Sequence, residues 1–149
     1  MNLDEATWQA RQTQWFINKQ KDEGRRVAKL PNKATYVEEK MADIYLEYQK
    51  TCEEEGVVDF AEILLRSYEM LNKNPELLLH YQKRFQHILV DEFQDTNEIQ
   101  YLLLKQLVGK DGHITVVGDD DQSIYSWRGA KSTNINRFLK DFKGCLLYT

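Results

Sequence analysis

The stretch that decides the fold is His87-Ile88-Leu89-Val90-Asp91-Glu92, a compact apolar run that stops abruptly at two carboxylates. A second run, Ile114-Thr115-Val116-Val117, ends in the same way at Gly118-Asp119. Short continuous apolar runs are typical of buried parallel strands. Between them, apolar residues recur at helical spacing from Ile99 to Leu107 and stop at Gly109. The order strand, helix, strand predicts an α/β fold with a parallel sheet.

The residues before this unit show only helical periodicity. Helices are predicted over about 4–23, ending at Gly24, and over about 37–55, ending at Gly56. A short third helix follows a carboxylate cap at Asp59, and a fourth begins with Asn74 as cap and Pro75 in the first turn. Beyond the second strand, residues 135–142 predict another helix and 145–148 the start of a third strand. The chain thus divides into a helical part, 1–85, and an α/β part, 86–149.

Size and charge limit the classes of function. The 149 residues, 42% hydrophobic and 30% charged, suit one ordinary domain or two small ones that fold, but not a complete motor. A net charge of −4 argues against a protein that coats nucleic acid generally. The two cysteines match no metal spacing, and no apolar run approaches a membrane span. We therefore expect a cytoplasmic chain without a membrane partner.

One basic cluster stands out from the acidic background. Arg25 and Arg26 have Lys19, Lys21 and Lys29 as neighbours in sequence. Such a cluster is usually a solvated surface, and in a minority of proteins it contacts nucleic acid. Both interpretations place these side chains on the outside.

The two carboxylates after the first strand are the sharpest chemical feature. Ligands of open α/β sheets gather at the carboxyl ends of the strands. There Asp91 could hold Mg²⁺ through water, and Glu92 could orient or deprotonate an attacking water. The alternative is that acidic residues only end the strand and cap the next helix, for which Asp95 followed by Glu98 has the right spacing.

A second polar cluster follows the second strand, from Val117 to Ala130. Gln122 can hydrogen-bond a phosphate or a bound water. Tyr125 and Trp127 offer flat faces to bases, and Arg128 offers a forked phosphate donor. The alternative is that the apolar members of the loop fill a core while its aspartates solvate a turn.

Together these residues resemble the UvrD/Rep branch of superfamily 1 DNA helicases. Residues 91–97, Asp-Glu-Phe-Gln-Asp-Thr-Asn, look like that family's motif II, and 118–130 look like its motif III, in the same order. The resemblance implies that Asp91 helps to hold Mg²⁺, that Glu92 activates the water that attacks the γ-phosphate of ATP, and that Gln122 senses this phosphate. The residues implied to meet single-stranded DNA are Tyr125, Trp127 and Arg128.

The helical part also resembles this family. Residues 15–21 and 58–64 look like segments of its helical subdomain 1B and of the return into subdomain 1A. The resemblance implies that Phe60 lies near single-stranded DNA, although a core position on an amphipathic helix is an equal alternative. Residues 86–149 would be part of a RecA-like sheet of the P-loop NTPase type.

No Gly-x-x-x-x-Gly-Lys-Ser/Thr sequence occurs, so the loop that cradles phosphates in this family is missing from these residues. We therefore expect an internal fragment that is inactive alone, from a parent that uses ATP and Mg²⁺ to move 3′ to 5′ on single-stranded DNA and to unwind duplex DNA. DNA-repair or replication proteins are candidate partners. Two alternatives stay open: a non-catalytic module that binds DNA or a protein partner, and a Mg-dependent nuclease using Asp91, Glu92 and Asp119.

Overall fold

A computed structural model describes residues 7–27, 35–119 and 134–142. Within these ranges the helices are α1 (Ala10–Asp22), α2 (Tyr36–Glu54), α3 (Phe60–Lys73), α4 (Pro75–Arg84), α5 (Glu98–Val108) and α6 (Asn134–Asp141), and the strands are β1 (His87–Val90) and β2 (His113–Val116). The predicted mixed α/β class is confirmed. The predicted strand at 145–148 lies outside the described residues. None of the described helices is long and apolar enough to cross a membrane.

Glycines end the first two helices, as predicted. Gly24 and Gly56 have φ values of +73° and +67°, the left-handed region that favours glycine. After each glycine the chain turns back, because the Arg25 amide donates to the Gln20 carbonyl and the Val57 amide to a carbonyl of α2. The start of α1 was predicted too early, since residues 7–9 are not helical.

The ends of α3 and α4 depend on polar side chains. The Asp59 carboxylate accepts the Glu62 amide at 2.7 Å, which confirms the predicted cap of α3. This helix is 14 residues long and not short as expected. Pro75 lies in the first turn of α4, but Asn74 does not cap that helix: its side chain donates to the Met70 carbonyl of α3 at 2.7 Å.

The chain forms two compact units, residues 1–67 and 68–149. In the first unit α1 and α2 pack together, and its buried apolar side chains are Ile17, Ala42, Ile44, Tyr45, Cys52 and Leu65. Cys52 is a buried free thiol. The division at residue 85 and the assignment of subdomains stay predictions.

In the second unit β1 and β2 pair in parallel, with His87 opposite His113 and Val90 opposite Val116. Val90 and Val116 pack against a buried core of Phe93, Tyr101 and Phe138. The expectation that the strands are buried on both faces of the sheet was wrong, because Leu89 of β1 is 80% exposed. The exposed face begins with the rings of His87 and His113, stacked 5.0 Å apart.

The expected basic surface is also wrong for two of its residues. Lys21 is only 1% exposed, and its ammonium group lies 2.7 Å from the Asp59 carboxylate and 2.9 Å from that of Glu62. Arg26 donates both to Glu62 Oε1 and to Oε2. The acidic partners lie about 40 residues further along the chain, and they bring the two cations inward because a buried charge needs a counter-charge. Arg25 is exposed beside Glu23.

A partly buried ion cluster joins α1 to α3; it is formed by Lys21, Arg26, Asp59, Glu62 and Arg66. Burial alone would raise the pKa of the Glu62 carboxyl, but hydrogen bonds from Arg66, Lys21 and Arg26 outweigh it, so the pKa is lowered. The pKa of Asp59 is lowered in the same way, because burial is outweighed by hydrogen bonds from Lys21, the Glu62 amide and Tyr48. Both carboxylates therefore stay charged in the folded unit.

Candidate functional site

The two carboxylates lie directly after β1, where the chain makes a strained turn. Glu92 has φ 49° and ψ 44°, the left-handed region, and is the only described non-glycine residue with positive φ. Its amide donates to the Asp91 carboxylate at 2.9 Å. A left-handed conformation costs a residue with a side chain about 1–2 kcal/mol, and such strain is concentrated at functional sites. The turn leaves both carboxylate side chains exposed at the carboxyl end of the strand.

The turn is held to the end of β2 by the backbone and by the core. The Val117 amide donates to the Val90 carbonyl at 2.8 Å, and the Phe93 amide donates to the Val117 carbonyl at 2.9 Å. The Phe93 side chain is buried, with its ring 5.4 Å from that of Phe138. Because Phe93 is fixed from two sides, the position of Glu92 next to it is determined by the packing of the sheet.

Gln94 joins the turn to the residues that follow β2. Its side chain is only 2% exposed, its Nε2 donates to Glu92 Oε2 at 2.6 Å, and its Oε1 accepts the Asp119 amide at 3.0 Å. A methyl group at Gly118 would lie 2.5 Å from that Oε1, so glycine allows the close approach. Sequence reasoning gave Gln94 no role. The signal that could have found it is the glycine before Asp119, at the carboxyl end of the neighbouring strand.

The alternative that Asp95, followed by Glu98, caps the next helix is wrong. Asn97 occupies the cap of α5, where its side chain accepts the Gln100 amide at 3.0 Å, and the Gln100 side chain accepts the Asn97 amide at 3.0 Å. Asp95 lies instead in the turn before the cap, and its Oδ1 is buried without a hydrogen-bond partner among the described residues. Asp95 is therefore not needed to begin the helix.

A cleft of about 330 Å³ opens beside the turn. Its lining residues are Val90, Asp91, Glu92, Asp95, Thr96, Gln100, Leu103, Leu104 and Leu107. Carboxylate oxygens are the ligands that Mg²⁺ prefers, and Mg²⁺ keeps several waters, so two exposed carboxylates on an open cleft suit it. No group of three His, Cys, Asp or Glu side chains within 7–27, 35–119 and 134–142 is arranged to hold a metal ion. Asp91, Glu92 and Asp119 accordingly do not form such a group.

Most of the second polar cluster lies outside the described residues. These positions are Gln122, Tyr125, Trp127 and Arg128. The residues on both sides of them are described, and both are tied to the turn after β1. Before them, Asp119 bonds to Gln94; after them, the Asn134 side chain donates to the Thr96 carbonyl at 2.8 Å. The two ends of residues 119–134 are therefore fixed to one short segment.

Charged side chains hold α6 against α5. Arg137 lies 2.6 Å from Glu98, and Asp141 accepts from the Tyr101 hydroxyl at 2.8 Å and from Lys105 at 2.9 Å. Hydrogen bonds from Lys105 and Tyr101 lower the pKa of Asp141, whereas burial and the bond to Asp141 raise the pKa of Tyr101. The helix that follows residues 120–133 is thus anchored at several points.

Phe60 lies in the first unit, at the first position of α3. It is 91% exposed, so the alternative that it fills a core is wrong. The neighbouring Asp59 holds the start of the helix through its bond to Lys21. The side chain of Phe60 is available for a ligand, and its predicted contact with single-stranded DNA stays a prediction.

The profile of the UvrD/REP helicase N-terminal domain matches residues 1–143. The chain belongs to this family. Relatives include DNA helicase II of Escherichia coli, 53% identical over 144 residues that make up 97% of this chain and 20% of the relative. DNA helicase II of Haemophilus influenzae is 54% identical over 142 residues, 95% of this chain and 20% of that protein.

A further UvrD/REP relative is the ATP-dependent DNA helicase PcrA of Bacillus subtilis, 45% identical over 107 residues, 72% of this chain and 14% of the relative. The chain thus spans about a fifth of the length of the DNA helicase II proteins that it matches. The resemblance found from residues 91–97 and 118–130 is confirmed at the level of the family. The roles of the individual site residues stay predictions.

Proposed function

We propose that this chain is part of an ATP-dependent DNA helicase of the UvrD/REP family and carries one side of its ATP site. The observation that supports this best is the pair Asp91 and Glu92, exposed on an open cleft at the carboxyl end of β1 in a chain of that family. Relatives are named DNA helicase II and ATP-dependent DNA helicase. Single-stranded and duplex DNA are the proposed substrates, with 3′-to-5′ movement and with DNA-repair or replication proteins as partners.

Asp91 and Glu92 have separate roles in this proposal. Asp91 would hold Mg²⁺, which neutralises charge on the β- and γ-phosphates when bound. Glu92 orients the attacking water and accepts its proton, a role for which a carboxylate fixed in one direction is suited. The strained backbone at Glu92 and its bond to Gln94 fix that direction. Gln122 would sense the γ-phosphate.

The DNA-binding part of the proposal concerns residues after β2 and the start of α3. Tyr125, Trp127 and Arg128 would meet single-stranded DNA through stacking and phosphate contacts. Phe60, exposed on the other unit, is a fourth candidate. In the subdomain arrangement that we propose, 1–85 is 1B-like and returns into 1A, and 86–149 is part of the motor domain.

The 149 residues contain no Gly-x-x-x-x-Gly-Lys-Ser/Thr loop, so we propose that they do not hydrolyse ATP by themselves. The test therefore uses a chimera in which this chain replaces the matching 144-residue segment of Escherichia coli DNA helicase II. ATP hydrolysis is measured with and without single-stranded DNA, together with duplex unwinding.

We expect the chimera to be active and Glu92→Gln to lower kcat by at least about 100-fold, as expected when a general base is removed. The matched control is Glu54→Gln, the same change in an exposed i,i+4 pair of α2 with Lys50. Unchanged hydrolysis in Glu92→Gln would overturn the role of Glu92. If hydrolysis is unchanged in Glu92→Gln and the isolated chain also binds single-stranded DNA without nucleotide, the results favour the alternative of a non-catalytic DNA-binding module.

A further inference from the structure

The geometry points to Gln94 as a positioning residue that holds the Glu92 carboxylate and connects it to the segment beginning at Asp119. This inference rests on the proposed function, since it concerns the water-activating role of Glu92. Gln94 lies in residues 91–97, which resemble motif II of the family, but that resemblance implied no role for Gln94.

Both ends of the Gln94 amide are used, and they face different elements. The NH₂ group donates to Glu92 Oε2 at 2.6 Å, a short bond to a charged acceptor. The carbonyl accepts the Asp119 amide at 3.0 Å, at the carboxyl end of β2. Within the described residues no other hydrogen bond reaches the Glu92 side chain, so Oε1 is left for a water. The Gln94 side chain thus orients the Glu92 carboxylate, and its own position depends on the backbone at Asp119.

Burial makes this bridge stiff. Gln94 is 2% exposed, so neither of its bonds is readily replaced by water. Gly118 adds a steric requirement, because a methyl group there would come within 2.5 Å of Gln94 Oε1 and 3.2 Å of the Phe93 amide. The Gln94 amide can therefore occupy its position only because residue 118 is a glycine.

The bridge has a consequence for coupling between ligands. Residues 119–134 contain the proposed phosphate sensor and DNA contacts, and their first amide is bonded to Gln94. A displacement of Asp119 moves the acceptor end of a rigid planar amide, so its donor end, and Glu92 with it, must respond. Binding of DNA to residues 119–134 would thereby change the orientation of the Glu92 carboxylate, the group that activates water.

The main test uses the chimera with Gln94→Met, a buried change of similar volume that removes both bonds. We expect kcat for DNA-stimulated ATP hydrolysis to fall about 10- to 100-fold, the effect of losing one charge-assisted hydrogen bond in the transition state. The KM for ATP should stay within about twofold, because Gln94 touches no nucleotide in this proposal. Gln106→Met is the matched control, a partly buried glutamine of α5 that contacts neither Glu92 nor Asp119 among the described residues.

Two further variants separate the two bonds. Gln94→Glu keeps an acceptor for the Asp119 amide but loses the donor to Glu92, so it should lower kcat at least as much as Gln94→Met. Gly118→Ala places a methyl group against Gln94 Oε1 from the residues that follow β2, and it should reduce the stimulation of ATP hydrolysis by DNA. A kcat in Gln94→Glu equal to that of the unmodified chimera would overturn the inference.

A readout independent of activity is amide hydrogen exchange in the 149-residue chain. The Asp119 amide should exchange at least about tenfold faster in Gln94→Met, since its acceptor is lost. The Val117 amide, bonded to the Val90 carbonyl at 2.8 Å, is the internal control and should be unchanged. Equal protection of Asp119 in both proteins would show that the bridge does not exist.

The outcomes distinguish this inference from the proposed function. If Glu92→Gln is inactive and Gln94→Met retains full kcat and full stimulation by DNA, the proposed function stands and the inference fails. If Glu92→Gln is fully active, the proposed function fails, whatever Gln94→Met does. Loss of activity in both, with normal exchange at Val117, supports both.

Discussion

Replacement of Glu62 by glutamine is expected to destabilise the first unit by about 3 kcal/mol at pH 7, the lower end of the usual cost of breaking a buried ion pair. Glu62 is 1% exposed and accepts from Lys21, Arg26 and Arg66. The new side chain in Glu62→Gln would have the shape of the glutamate without its charge. Lys21 would then keep one carboxylate partner, that of Asp59.

The three partners contribute unequally. The Arg26 and Arg66 side chains are 23% and 46% exposed, so water can replace part of the interaction that each loses. Lys21 cannot do so, because it is buried. It keeps Asp59 at 2.7 Å and the ring of Tyr48 at 5.3 Å, which is why the expected cost lies near the lower end of the range.

The assay is urea unfolding of the 149-residue chain, followed by far-UV circular dichroism and by tryptophan fluorescence. Glu54→Gln serves as the control, since Lys50 and Glu54 are exposed and 3.6 Å apart, and it should change the free energy of unfolding by less than about 0.5 kcal/mol. A Glu62→Gln protein as stable as this control would refute the reasoning.

The pH dependence gives a second check. The pKa of Glu62 is lowered in the folded chain, so its stabilisation is present above its unfolded pKa of about 4 and is lost as the pH falls through the folded value. The difference in stability between the original chain and Glu62→Gln should therefore narrow below about pH 4. A difference that stays constant or widens in acid contradicts the assigned charge state.

Two other substitutions test the second unit by urea unfolding. Because Glu92 is left-handed, Glu92→Gly should be more stable than Glu92→Ala by about 1 kcal/mol, the reverse of the order in an ordinary helix or strand; an alanine variant at least as stable would show that φ is not positive there. Tyr101→Phe removes the donor to Asp141 and should cost about 1 kcal/mol at pH 7. Because the pKa of Asp141 is lowered, this cost should shrink as the pH falls below about 4, and a cost that persists in acid would count against the bond.

Local features of the fold were predictable from the sequence because they depend on neighbouring residues. The apolar runs predicted the ends of both strands to within one residue. A strand of branched apolar residues ends where carboxylates or glycine follow in the sequence. Gly24 and Gly56 were predicted as helix ends because only glycine takes a positive φ without cost. The Asp59 cap was found from its spacing to Glu62.

Features that depend on distant residues were not predictable. Lys21 was expected in a basic surface, and its burial depends on carboxylates 38 and 41 residues away. Of the candidate site, Asp91 and Glu92 were identified from their place after a strand. The bond between Gln94 and Asp119 exists only because two strands pair in a particular register, which composition and periodicity do not contain.

The exposed face of the two-stranded sheet affects how the isolated chain behaves in solution. Leu89 lies uncovered on β1, and within the part of the chain that the structure describes each strand has one edge without a strand partner. An exposed leucine on a short strand favours association between molecules, so we expect concentrated samples of this chain to aggregate. Leu89→Lys is accordingly the first change to make for anyone preparing the chain for crystallisation or spectroscopy, since this position lies on the face opposite the core and the change leaves the carboxylate turn untouched.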